Sequence, residues 1–184
     1  AAKKTRLMTS AFAVGLLESA LDGNANIISA TSVAKSRGIT LTETATGESE
    51  NFASMISVKV VTDKGDFEAS GTIFGRQFLR LVKLGPFCFE AFLDGRLLVY
   101  RHRDVPGLIG YIGTILGKHD VNIANMALGR QTNQPGGDSV AVLNLDSEPS
   151  AEALAEVAAH PEVSGVEIVR LPAAGAGLPW MSGR

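Results

Sequence analysis

The sequence is poor in cysteine and net charge and has no long hydrophobic run, and each deficit excludes a class of protein. One cysteine, Cys88, cannot form an intrachain disulfide or a cysteine-based zinc site. A net charge of −2 gives no general attraction to nucleic acid or to an anionic membrane. The apolar runs fall short of the ~20 residues that a membrane-spanning helix needs. We therefore expect a protein of the cytoplasm with neither nucleic acid nor membrane as its partner.

Two kinds of functional motif are also missing. No G-x-G-x-x-G follows a predicted strand, and the glycines at 107, 110, 113 and 117 instead recur at helical spacing, which predicts a small face for close packing. The three histidines are 17 and 41 residues apart and match no compact ligand motif, so we expect no metal site. Cys88 lies between Phe87 and Phe89 and is predicted to be a buried, inert thiol.

The first 94 residues read as an α+β unit. The predicted elements are a helix at about 5–21, a second, shorter helix within 27–38, and strands at 39–46, 56–60, 67–74, 77–84 and 87–93. Asp22-Gly23 ends the first helix, Thr31 or Ser32 caps the second, and residues 63–66 form a hairpin turn.

From residue 95 the pattern changes to strands that alternate with helices. The predicted order is strand 96–103, helix 106–118, strand 121–129, strand 139–146, helix 150–159 and strand 163–171. This βαββαβ order predicts a four-stranded antiparallel sheet with both helices on one face. We place domains at 1–94 and 95–171, followed by a tail at 172–184 that is rich in alanine, glycine and proline.

The stretch 97–130 carries the first functional hypothesis. Asp104, Pro106 and Gly107 mark the beginning of helix 106–118, with Asp104 predicted to cap it and Pro106 in its first turn. The helix N-terminus attracts an anion, while the Asp104 carboxylate attracts a cation. Because a free amino acid carries both charges a few ångströms apart, the pattern favours an amino-acid sensor.

Several motifs in this order resemble a known family. HRDVPGLIGYIGTILG, DVNIANMALGR and GGDSVAVLNLD resemble the ferredoxin-like ACT domain of amino-acid metabolism. NIISATSVAKSRGI, SGTIFG and RLVKLGPFCFEAFLDGRLLV resemble the intervening, allosteric-substrate-binding domain of D-3-phosphoglycerate dehydrogenase. The combination implies the C-terminal regulatory region of that family, with an α+β intervening domain followed by an ACT domain.

The resemblance implies an effector and an assembly. L-serine is the expected effector, in an enzyme of serine biosynthesis, and the chain is expected to form a homo-oligomer through its ACT domains. The matching positions for effector binding are His102, Asp104, Gly107, Leu108 and Asn122. Asn122 is expected to reach across a dimer interface to the neighbouring pocket.

The resemblance also bears on catalysis and on a second site. The NAD-binding and catalytic domains are expected upstream of residue 1, so this chain alone is expected to hold no cofactor and to catalyse no hydride transfer. Arg76 and Arg80 share one face of a predicted strand and could fork onto an anion such as phosphate. A solvated outer face accounts for the same two residues.

Two other functions fit parts of the pattern. A βαββαβ sheet is also the topology of an RNA-binding module, but strand 139–146 lacks the aromatic and basic residues that such a sheet presents. An ACT sensor of another enzyme, such as L-serine dehydratase, is the second alternative.

Overall fold

The computed structural model describes residues 2–18, 26–45, 52, 54–75, 78–132 and 134–173. The chain divides into two compact units, residues 1–48 with 177–184 and residues 49–176. The predicted helix stop at 22–23 and most of the predicted tail lie outside the described residues. No helix in the described part of the chain is long and apolar enough to cross a membrane.

The first unit contains the helices α1 (Ala2–Glu18) and α2 (Ala30–Ser36). They meet at a small apolar cluster of Ala13, Val14 and Ala30, against which Ile27 and Leu41 pack. The short side chains at the centre of this cluster allow the two helices to approach closely.

Two local predictions for this unit are wrong. Residues 39–45, predicted as part of a strand, form none, because Leu41 packs on the helices and the described part of this unit offers no strand to pair with. Neither Thr31 nor Ser32 caps α2, because the helix begins earlier, with Ser29 at its N-cap position. Asn26 supplies the missing acceptor, and its Oδ1 receives the N–H groups of Ile28 and Ser29 at 3.0 and 2.9 Å.

The second unit begins with an antiparallel sheet whose four strands pair in chain order. Its strands are β1 (Met55–Thr62), β2 (Gly65–Phe74), β3 (Phe78–Leu84) and β4 (Phe87–Phe92). The predicted hairpin turn is confirmed, since Thr62 pairs with Gly65 across the tip. Gly65 has a φ of +129°, a backbone conformation that side chains other than hydrogen disfavour.

The second sheet confirms the βαββαβ prediction. Its elements are β5 (Arg96–Arg103), α3 (Leu108–Lys118), β6 (Ile123–Arg130), β7 (Asp138–Leu145), α4 (Ala151–Ala158) and β8 (Val163–Arg170). The spatial order is β6-β7-β5-β8, with antiparallel pairing throughout. One face of this sheet packs on both helices through a core that includes Leu98, Tyr100, Ile112, Leu143 and Val157. The apolar stripes of α3 and α4 therefore cover one face of the sheet.

The opposite face of the second sheet is covered by the first sheet. Ala91 of β4 belongs to a buried cluster with Leu97, Ala127 and Val142, one from each of three strands of the second sheet. Phe89 and Leu93 pack around this cluster. Both faces of the βαββαβ sheet are thus buried, one by helices and one by β4.

Cys88 corrects another prediction, because it is exposed rather than buried. Side chains alternate between the two faces of a strand. Phe87 and Ala91 of β4 point into the protein and are 8% and 0% exposed. Cys88 follows Phe87 directly and therefore lies on the opposite, outward face of the strand. The aromatic neighbours indicated burial of the strand but not the face on which the thiol lies.

Candidate functional site

Three polar side chains line up across neighbouring strands at one end of the βαββαβ sheet. His102 on β5 pairs with Ser139 on β7, which in turn pairs with Arg130 on β6. Directly paired residues project to the same face of a sheet, here the face that carries the helices. With the start of α3 they enclose a pocket of about 230 Å³. Its lining residues are His102, Asp104, Val105, Leu108, Ile109, Leu128, Arg130 and Ser139.

Asp104 supplies the negative charge of this pocket. Its Oδ2 forms an ion pair with Arg130 Nη2 at 2.8 Å. The same oxygen lies 3.4 Å from the backbone nitrogen of Gly136, and the Asp104 backbone N–H donates to the Gly137 carbonyl at 2.9 Å. Asp104 therefore joins the loop before α3 to the loop between β6 and β7.

The predicted capping role of Asp104 is wrong. The N-cap position of α3 is Gly107, with a φ of +89°, and no side chain caps the helix there. Pro106 and Gly107 turn the chain between Asp104 and Leu108, so the carboxylate faces Arg130 instead of the first helical N–H groups. The first-turn N–H groups of α3 are left without an intrahelical acceptor, as in every α-helix.

The inner wall of the pocket holds buried polar atoms that have no partner among the described residues. They are the His102 Nε2 and the Ser139 Oγ, in residues only 5% and 3% exposed. His102 Nδ1 lies 2.8 Å from the Arg103 carbonyl, so in the neutral ring Nδ1 carries the proton and Nε2 is an acceptor. An unpaired buried polar atom costs ~1–3 kcal/mol, so these two atoms indicate a place for a polar ligand group.

Tyr100 supports His102 from behind. The two ring centroids are 5.3 Å apart, and Tyr100 is fully buried. Burial raises the pKa of Tyr100 to about 12, because the phenolate would be desolvated. The phenol therefore stays protonated over the whole physiological range.

Asn122 lies far from this pocket within one chain. It immediately precedes β6, whereas Arg130 is the last residue of that strand. A strand of this length separates the two by roughly 25 Å. Asn122 Nδ2 instead donates to Asp146 Oδ2 at 2.6 Å. Of the predicted effector residues, the structure brings together His102, Asp104 and Leu108, with Gly107 directly before the helix.

The second predicted site involves arginines of the first sheet. Arg76 lies outside the described residues. Arg80 stacks on the Phe92 ring at 3.7 Å from its centroid, and its Nε donates to Glu90 Oε1 at 3.3 Å. Its Nη1 donates to the Leu79 carbonyl at 2.9 Å, and its side chain is only 11% exposed. Arg80 is thus held by an aromatic ring and a carboxylate, and an anion site there stays a prediction.

Sequence reasoning missed Arg130 and Ser139. Both lie at strand ends beside loops, where charged and hydroxyl residues are common and carry no signal of their own. Only the register of β6, β7 and β5 brings them beside His102. A correct guess of that register would have been needed to find them.

Comparison with known proteins gives two family matches along the chain. The intervening domain of D-3-phosphoglycerate dehydrogenase matches residues 1–85, and the ACT domain matches residues 96–162. Similar relatives include the D-3-phosphoglycerate dehydrogenase of Archaeoglobus fulgidus, 34% identical over 157 residues that cover 85% of this chain and 30% of the relative. Those of Bacillus subtilis and Methanocaldococcus jannaschii are 31% and 32% identical and match 92% and 93% of this chain. The chain spans about a third of the length of these curated relatives.

Proposed function

The chain belongs to the D-3-phosphoglycerate dehydrogenase family, whose intervening and ACT domains it carries, and on this premise we propose that it senses L-serine. The matched part is the regulatory region of such a dehydrogenase. L-serine is the end product of the pathway that this enzyme begins. Its binding to the regulatory region would make the enzyme respond to the concentration of that product. The proposed site is the pocket between Asp104, Arg130 and the start of α3.

The observation that carries the proposal is the charge arrangement in a small pocket. The Asp104 carboxylate provides a partner for an ammonium group, and the first turn of α3 provides N–H groups for a carboxylate. The volume of about 230 Å³ lies below that of pockets for drug-sized ligands and suits a small metabolite. The unpaired His102 Nε2 and Ser139 Oγ offer hydrogen bonds to a side-chain hydroxyl. L-serine has each of these groups.

A second copy of the chain would complete the pocket with Asn122. Among the described residues β6 pairs only with β7, so it is an edge strand of its sheet. Antiparallel pairing of β6 with its copy, centred near Met126, sets Asn122 of one chain opposite Arg130 of the other. Exposed Ile109 and Leu128 at the mouth of the pocket, 36% and 48% accessible, would be covered by the same association. The assembly we propose is therefore a homo-oligomer formed through ACT domains.

The two sheets in the described part of the chain do not have the topology that holds a nicotinamide cofactor. Both described sheets are antiparallel throughout, and no strand of the described part is followed by a crossover to a parallel neighbour, the unit that holds a dinucleotide. NAD binding and hydride transfer are therefore assigned to other parts of the whole enzyme. We place that enzyme in the cytoplasm.

The alternatives have less support. The RNA-binding reading needs an open sheet face, and β4 covers the face that such modules present. An ACT sensor of L-serine dehydratase would use the same pocket, but the match of residues 1–85 to the dehydrogenase's intervening domain favours the dehydrogenase.

Calorimetric titration of the chain tests the proposal. We expect saturable heat with L-serine, much weaker binding of D-serine, and at least about tenfold weaker L-serine binding in Asp104→Ala, because a charge-assisted hydrogen bond is lost. Asp63→Ala, at the exposed β1–β2 turn, is the matched control and should bind like the wild type. An absence of heat with millimolar L-serine in the folded dimer would overturn the proposal. Wild-type affinity in Asp104→Ala would move the site elsewhere.

A further inference from the structure

We propose that Arg130 changes partner when the effector binds, leaving Asp104 for the α-carboxylate of the ligand while Asp104 takes the ligand's ammonium. The inference rests on the proposed function and adds a specificity residue to the same pocket. In the empty pocket Arg130 pairs with Asp104, and in the filled pocket each of the two residues pairs with the ligand instead. The ligand class that it selects is a free α-amino acid with both of its charges.

The first step of the argument is that Asp104 is already occupied. Arg130 Nη2 lies 2.8 Å from Asp104 Oδ2, in the position from which a ligand ammonium would bind that oxygen. A ligand ammonium that binds this oxygen therefore competes with the guanidinium for it. The displaced group stays close, because Arg130 lines the same pocket from the end of β6.

The second step is that the ion pair opens readily. The Arg130 and Asp104 side chains are 50% and 23% exposed, and an ion pair so accessible to water adds little net stability. The arginine side chain is long and reaches the pocket from a strand end, so its head group can move without moving the backbone. A guanidinium also binds a carboxylate through two parallel N–H groups, which favours a ligand carboxylate as its new partner.

The third step is charge balance inside the pocket. One positive and one negative group face each other before binding, and a zwitterion adds one of each, so every charge finds an opposite partner. An amine without a carboxylate would leave Arg130 unpaired beside a positive ligand. A carboxylate without an ammonium would meet the negative Asp104. Two-way pairing therefore discriminates amino acids from both kinds of fragment.

The buried wall supports a ligand in this position. His102 Nε2 and Ser139 Oγ are unpartnered among the described residues, and both residues are more than nine-tenths buried. Ser139 pairs directly with Arg130 across the strands, so a ligand held by Arg130 lies against this wall. The charged pair Asp104 and Arg130 and the buried polar atoms of His102 and Ser139 thus belong to one site.

The test compares L-serine with serinol, which keeps the ammonium and hydroxyl groups but lacks the carboxylate. Both are titrated calorimetrically into the wild type, Arg130→Gln and Arg130→Lys. Arg130→Gln should bind L-serine about tenfold or more weakly, because a charged partner is lost, yet bind serinol as tightly as the wild type or more tightly, because Asp104 is freed. Arg130→Lys should restore much of the L-serine affinity. Arg103→Gln breaks a comparable exposed pair with Asp138 outside this pocket and should change neither affinity.

Weaker binding of L-serine without weaker binding of serinol in Arg130→Gln is the signature of partner exchange. Tighter binding of both ligands in Arg130→Gln would make Arg130 a simple competitor and overturn the inference. Unchanged L-serine affinity in Arg130→Gln would also overturn it, while the proposed function would stand. If the wild type bound no α-amino acid at all, the proposed function and the partner exchange would both fail.

Discussion

The ring of Phe89 occupies the space that a β-carbon on Gly129 would need. A β-carbon built at Gly129 would lie 2.7 Å from Phe89 Cδ1 and 3.2 Å from the Cys88 carbonyl oxygen. Glycine at this position therefore allows β4 to lie directly on β6. Gly129 lies in the part that matches the ACT domain, residues 96–162, whereas Phe89 lies between that part and the match to the intervening domain, residues 1–85.

Gly129→Ala should destabilise the protein by about 1–3 kcal/mol, because the added methyl group forces β4 and β6 apart. Urea unfolding measures the free energy. Gly113→Ala in α3 is the matched control, since a β-carbon there has no neighbour within 4 Å. It should stabilise the protein by about 0.5–1 kcal/mol through helix propensity. Equal effects of the two substitutions would contradict the close contact.

A mixing experiment tests whether the effector pocket is shared between chains. Asp104→Ala and Asn122→Ala homodimers should each bind L-serine weakly. In the mixed dimer one pocket contains both substitutions and the other contains neither. Co-refolding equal amounts should therefore restore wild-type affinity at one pocket of each mixed dimer, or about one pocket per two dimers of the whole mixture, because half of the dimers are mixed. Calorimetry gives this stoichiometry, and no recovery after verified mixing would argue that Asn122 acts within its own chain or not at all.

Tyr100→Phe should change how the free energy of unfolding depends on pH in the alkaline range. The pKa of Tyr100 is raised to about 12 in the folded protein, so the unfolded chain, near 10, releases its proton first. The contribution is fully present below about pH 10 and is lost as the pH rises toward 12, by roughly 2–3 kcal/mol. Tyr100→Phe removes this loss and leaves no unpaired buried hydroxyl. Parallel stability curves for the two proteins between pH 9 and about 12 would contradict the assignment.

Inorganic phosphate tests the anion-site prediction at Arg80. If Arg80 binds the anion, phosphate should raise the melting temperature of the wild type but not of Arg80→Ala. Lys64→Ala, an exposed cation of the β1–β2 turn, should keep the phosphate effect. Arg80→Ala should also lower the stability by about 1–2 kcal/mol through loss of stacking on Phe92. A lower melting temperature with an unchanged phosphate effect would make Arg80 a packing residue only.

Much of the fold was predictable because local patterns decided it. Leu108, Ile112, Ile115 and Leu116 recur at helical spacing, and each is buried in α3 as that spacing predicts. The residues at 39–45 alternate as a strand does, but alternation shows only that one face can be buried. It does not supply a partner strand, and Leu41 packs against α1 and α2 instead.

The pocket was predictable only in part, for a similar reason. His102 and Asp104 are two residues apart, so their common side follows from the strand itself. Arg130 and Ser139 join them through pairing between segments distant in sequence. The outward face of Cys88 likewise depends on which side of β4 packs on the second sheet, a tertiary fact that composition does not contain.

The apolar cluster between the two sheets also constrains how such enzymes can be recombined. Ala91 lies in the strand that leads out of the intervening region, while Leu97, Ala127 and Val142 belong to the ACT fold. An ACT module grafted from another enzyme would bring its own side-chain volumes to this surface and would fit β4 only if they remained equally small. Exchange of regulatory modules between lineages should therefore succeed more often when the β3–β4 hairpin is transferred together with the ACT module than when the sequences are joined between β4 and β5.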